Sequence, residues 1–107
     1  MSMDAVFKAL ADPTRRQLLD SLRARNGQTL SELCEHADMT RQAVTKHLAI
    51  LEVANLVAMR KSGRERLHYL NPVPIHEIAA RWIGNFERGR LRALSGLKKN
   101  LERKVDE

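Results

Sequence analysis

With one cysteine in 107 residues, the chain can close no internal disulfide and cannot form an all-cysteine metal cage by itself. That economy suits a reducing compartment. Aromatic residues are nearly as scarce: Phe7, Tyr69, Trp82 and Phe86 are the only four. The core must therefore be built from Leu, Ile, Val and Ala, which is a helical composition. No apolar run reaches the roughly 18 residues a membrane span requires. Met1 to Leu10 carries Asp4 and Lys8 and lacks the basic start and apolar stretch of a secretory signal. A cytoplasmic protein without membrane contact is expected. No Gly-rich phosphate loop, Ser/His/Asp arrangement or metal-ligand cluster is visible, which argues against an enzyme. What is present is positive charge. Nineteen Lys and Arg stand against 13 Asp and Glu, a net charge of +6. In a small basic domain that excess points to a polyanion, most often nucleic acid. Hydrophobic content of 43% excludes disorder, and the length fits a single domain over residues 1–107.

Proline and glycine punctuate the chain sparingly, so each mark is informative. Val6, Phe7 and Leu10 read as a short first helix. Asp12-Pro13 starts a second: Asp accepts from free backbone N–H groups, and Pro at the first helical position loses nothing. Leu18, Leu19 and Leu22 give this helix one apolar face, and Asn26-Gly27 stops it. Thr29-Leu30-Ser31-Glu32 has capping-box spacing and opens a third helix through Leu33 and Cys34. Thr40 caps the stretch Arg41 to Glu52, whose Val44, Leu48 and Leu51 fall within a narrow arc of the helical wheel. Opposite them lie Gln42, Lys46 and Ala49, with Arg41 and Thr45 on a flank and His47 at the edge of the apolar arc. Asn55 follows where a left-handed residue is wanted. Leu56–Arg60 and Arg66–Leu70 read as short strands around a turn at 61–65. From Ile75 an amphipathic pattern runs to Val105, about thirty residues against a usual eleven or twelve. A bend is expected near Gly89. Such a helix needs a partner along its length, and little core remains to supply one.

Two short helices joined by a tight turn form a helix-turn-helix over about residues 28–53, and a basic hairpin at 56–70 makes it a winged one. The second helix must bury one face and keep the other polar enough to enter a major groove. Thr40, Arg41, Gln42, Thr45, Lys46, His47 and Ala49 are the candidate recognition residues. Gln suits adenine, Arg and Lys suit guanine, and Thr or Ala can meet a thymine methyl. On the wing, Arg60, Lys61, Arg64 and Arg66 face one acid, Glu65, a balance suited to phosphates or a narrow minor groove. The fold class is mainly α with a small β-hairpin, and the partner is double-stranded DNA.

Ala11-Asp12-Pro13-Thr14-Arg15-Arg16 resembles the opening motif of the ArsR/SmtB family of bacterial transcription repressors. Val44-Thr45-Lys46-His47-Leu48-Ala49-Ile50-Leu51 is similar to that family's V-S-x-H-L-x-x-L recognition helix, with Thr45 in the serine position. Asn55-Leu56-Val57 stands where the family has Gly-Leu-Val, and Arg64 to Leu70 resembles its wing strand. The resemblance covers residues 5 to 72 closely. It implies a homodimer joined through its first and last helices, the latter spanning 74–105, that represses by covering a palindromic operator with half-sites about one helical turn apart. Val6, Phe7, Leu10, Trp82, Phe86, Leu94, Leu97 and Leu101 are the apolar residues left for that interface.

The family's metal sites are not reproduced. Of the cysteine positions of the arsenic-type site, only Cys34 is matched, with Thr29 and Ser31 at the other two. The zinc-type site on the last helix would need a second His beyond His76, with Glu77 and Glu87 in its pattern. No metal and no cofactor are expected, and any small-molecule effector is unknown. Cys34 reads as a small buried hydrophobe, His36, His68 and His76 as surface or turn residues, and Arg88, Arg90, Arg92, Lys98 and Lys99 as solvated charge. His47 allows either a packing hydrogen bond or a phosphate contact. Two alternatives remain: a thiol- or metal-responsive repressor switching through Cys34, and a dimeric interaction module that binds no DNA. The second gives no reason to gather Arg41, Gln42, Thr45 and Lys46 on one helix face.

Overall fold

Three helix starts read from the sequence, at Asp12, Thr29 and Thr40, are places where a side chain satisfies orphan backbone donors. The structure, a computed structural model, describes residues 3–83, 92–99 and 101. Its elements are α1 (Met3–Leu10), α2 (Pro13–Ala24), α3 (Leu30–Glu35), α4 (Arg41–Val53), β1 (Val57–Ser62), β2 (Glu65–Leu70) and α5 (Val73–Ile83). Residues 92–99 are also helical. Asp12 caps α2 by accepting from the N–H of Thr14 at 2.7 Å and of Arg15 at 3.3 Å. Thr29 and Glu32 complete the capping box of α3, and Thr40 Oγ1 accepts from Ala43 N–H to open α4. Asn55 takes the expected left-handed conformation, with φ of 62°.

Residues 1–77 form one compact unit and residues 78–107 a second. In the first, Leu18 and Leu22 of α2, Leu33 of α3, Val44 and Leu51 of α4 and Leu56 meet in a core closed to water. Each such side chain stabilises the fold by about 1.5–3 kcal/mol. α1 packs on α2 and α4, β1 lies against α4, and β2 against α2 and α3. The hairpin therefore follows directly on the α3–α4 pair, which is the winged helix-turn-helix order.

Three expectations change. The strands are longer than read: Ser62 pairs with Glu65, leaving Gly63-Arg64 as a two-residue loop. Gly63 alone has positive φ there (63°), the pattern of a II′ turn, whose twist suits long paired strands. Val6, expected at a dimer interface, is 3% exposed within one chain because α1 already packs it onto the protomer. His68, expected at the surface, is 6% exposed. Its strand meets a third segment: Gln28 N–H donates to His68 C=O at 3.1 Å, and His68 N–H donates to Gln28 C=O at 2.7 Å. The expected bend at Gly89 and interface residue Phe86 lie outside the described residues.

Gly27 marks the entry to that bridge. Its φ is +80°, and a Cβ there would sit 3.1 Å from the Tyr69 ring. Gly27→Ala should destabilise the protein by about 1–2 kcal/mol, the cost of a left-handed alanine with a crowded methyl. A urea titration with an unchanged midpoint would show that the Tyr69 ring gives way freely.

Candidate nucleic-acid interface

α4 turns Val44, Leu48 and Leu51 inward, and Thr40, Arg41, Gln42, Thr45, Lys46 and Ala49 are all exposed. Two of them are held. Arg41 Nη1 donates to Ser31 Oγ at 3.3 Å, and Thr45 Oγ1 donates to Arg41 C=O at 2.9 Å. Ser31, at the start of α3, thus orients a recognition candidate, a role that Ser31's own position in the sequence gave no sign of.

His47 is half-buried, and its Nδ1 accepts from Arg15 Nη1 at 3.3 Å, which is the packing hydrogen bond. Arg15 itself is the hub of the junction. Nε donates to Ala9 C=O at 2.8 Å and Nη2 to Lys8 C=O at 2.9 Å, so one guanidinium closes the end of α1 while gripping α4. Arg16 Nη1 takes the next carbonyl, Leu10, at 2.6 Å. Asp12 lies 3.6 Å from Arg15 Nη1. What burial Asp12 has pushes its carboxyl upward, but the N–H groups of Thr14 and Arg15 outweigh this. With Arg15 and His47 nearby, the carboxyl is held below its ordinary value.

All four wing cations are exposed, yet they do not share a face. Lys61 pairs with Arg66, and Met59 with His68, on the side that looks toward α4. Arg60 pairs with Leu67 on the other side. Like charges directly opposite one another destabilise an isolated hairpin, so the Lys61–Arg66 pair favours an anion nearby. Between the wing and α4 runs an open groove of about 630 Å³. Behind it, Gln28 is 2% exposed and its carboxamide donates to Ser21 C=O and Arg25 C=O, fixing the strand that β2 meets. Among the described residues no three His, Cys, Asp or Glu converge as a metal site, and no helix is long and apolar enough to cross a membrane.

Residues 10–60 match a helix-turn-helix domain family. The chain is 43% identical over 86 residues to the HTH-type transcriptional regulator YuzN of Bacillus subtilis, covering 75% of this chain and 94% of that one. It is 32% identical over 84 residues to the transcriptional repressor SdpR of the same organism, covering 78% and 91%. An ArsR-like transcriptional regulator from Rhodococcus sp. RHA1 superposes with a TM-score of 0.67 at 33% identity, covering 91% of this chain and 90% of that one. The chain belongs to the ArsR family of transcriptional regulators. As an ArsR family protein it is a DNA-binding regulator and not an enzyme. The order of α3 and α4 followed by the β1–β2 hairpin matches the winged helix-turn-helix of ArsR-type structures.

Proposed function

We propose that this protein is a homodimeric repressor that reads a palindromic operator in the cytoplasm. The observation that carries the reading is the outer face of α4. Arg41, Gln42, Thr45, Lys46 and Ala49 are displayed over a buried aliphatic stripe, beside a cationic hairpin. Side chains of that kind and size can enter a major groove and bond base edges. Lys61, Arg64 and Arg66 then meet phosphate, with Arg60 on the wing's far face. His47 supports α4 through Arg15. For the dimer, the exposed Phe7 (43%) and half-buried Leu10 on α1 support the reading, as do the exposed Trp82 (60%), Leu94, Leu97 and Leu101. The repressor SdpR, similar over most of its length, supports the sign of regulation.

The test is a band-shift titration against DNA from upstream of the protein's own gene at two salt concentrations, with mass measured by light scattering. A dimer that binds this DNA specifically and loses affinity with salt is expected, and a monomer would sink the palindrome. Arg64→Ala should flatten the log–log salt dependence by about one unit, the release of one phosphate counterion, while weakening all sequences alike. An unchanged slope would remove the wing tip from the interface.

A further inference from the structure

The groove between α4 and the wing is built for more than a DNA strand. Its size, about 630 Å³, falls among small-molecule sites, which run from about 300 to 1,000 Å³. Leu48, Ala49 and Met59 give it an apolar floor, and Arg64 and Arg66 stand on its rim beside Glu65. The inner end is different. His68 lines it while 94% buried by its surroundings, since only 6% of the residue is exposed. Its Nδ1 donates to Gln28 C=O at 2.9 Å, because a carbonyl can only accept. That leaves Nε2 looking at Glu52 Oε1 across 3.9 Å, too far for a hydrogen bond. Nε2 and the Glu52 carboxylate thus face each other over a gap. A DNA backbone fits it poorly: phosphate and deoxyribose ether oxygens only accept, and Glu52 repels the phosphate charge. The inner end calls for a ligand with a hydroxyl donor, and the rim calls for an anion.

We propose that this groove is an effector site for a small hydroxylated organic acid. The carboxylate sits at Arg64 and Arg66, a flat apolar body lies across Leu48, Ala49 and Met59, and the hydroxyl reaches in between His68 and Glu52. Binding neutralises the wing cations and fills the space beside α4, so the ligand competes with DNA. That consequence rests on the repressor reading, whereas the site itself does not.

The test titrates 4-hydroxybenzoate, benzoate and phenol into the ¹⁵N-labelled protein without DNA, then 4-hydroxybenzoate into its complex with the upstream duplex. Saturable amide shifts around Met59, Arg66 and His68 are expected with 4-hydroxybenzoate. Benzoate and phenol should bind about tenfold more weakly, each lacking one charge-assisted contact. Glu52→Ala should weaken 4-hydroxybenzoate by about tenfold and leave benzoate unchanged, a split that mere loss of packing would not produce. Met59→Trp, which fills the groove from an exposed strand position, should abolish the shifts in a folded protein. No saturation by about 10 mM, weaker than any millimolar site, overturns the proposal, as do shifts that survive Met59→Trp. Groove shifts seen only on adding duplex also overturn it and make the groove a DNA surface alone. Binding in the groove without release of duplex overturns the effector role and spares the DNA reading. Failure of the ligand-free protein to bind duplex overturns the DNA reading, and the first titration still decides the site.

Discussion

Arg15→Met should lower the stability of the protein by about 3 kcal/mol, since hydrogen bonds to a charged group contribute about 1.5–3 kcal/mol each and solvent replaces some of those lost. The guanidinium makes four contacts from one place: two carbonyls at the end of α1, His47 on α4 and the Asp12 carboxylate. Methionine keeps the aliphatic stem and removes all of them. In a domain of this size the thermal midpoint should fall by roughly 10–20 °C at fixed protein concentration. Arg15→Lys should recover only part, because one ammonium cannot fork to carbonyls and imidazole together. A midpoint within a few degrees of the parent would show that α1 and α4 hold their positions without the hub.

The same junction gives the protein a pH response of known sign. Asp12 has its carboxyl held below the ordinary value in the folded state. A depressed folded pKa contributes stability above the unfolded value of 3.8, and that contribution is lost as pH falls through the folded value. Asp12→Asn, which can still cap α2, should therefore flatten stability against pH at the acid end, with its loss greatest at neutral pH and vanishing once the parent's carboxylate is protonated.

How far these features could be read from the residues depended on how far apart they lie. The caps Asp12, Thr29, Thr40 and Asn55 act within three residues, so spacing alone located them. The exposed face of α4 followed equally from the arc of Val44, Leu48 and Leu51. The hairpin is legible but its strands run further than the residues mark, because Lys61–Arg66 and Ser62–Glu65 pair through backbone and leave only Gly63-Arg64 as the loop. His68 was misplaced because the group that buries it, Gln28, stands forty residues away and nothing in its neighbourhood announces the bridge. Val6 shows the limit of an apolar pattern: it says a face is buried and leaves open whether the protomer or a second copy covers it. Arg15 was visible as part of a motif, and only the structure supplies the physical reason for its presence there.

Lys46→Ala tests the centre of the interface. Lys46 points directly away from the Leu48–Leu51 stripe and is exposed, so its removal should cost the fold almost nothing. If its ammonium bonds a base edge, affinity for the operator should fall by about 1–3 kcal/mol, roughly tenfold to a hundredfold, while non-specific affinity changes little. If instead it meets a phosphate, every sequence should weaken alike and the salt slope should drop by about one unit. Measuring operator and random duplex at two salt concentrations separates these cases. Lys99→Ala removes the same charge from the exposed face of the 92–99 helix and is the control, with no loss of specific binding expected. Equal operator affinity of the Lys46 variant and the parent would move the reading head off this face of α4. The neighbouring Arg41, oriented by Ser31 on the same helix's flank, would then be the residue to carry it.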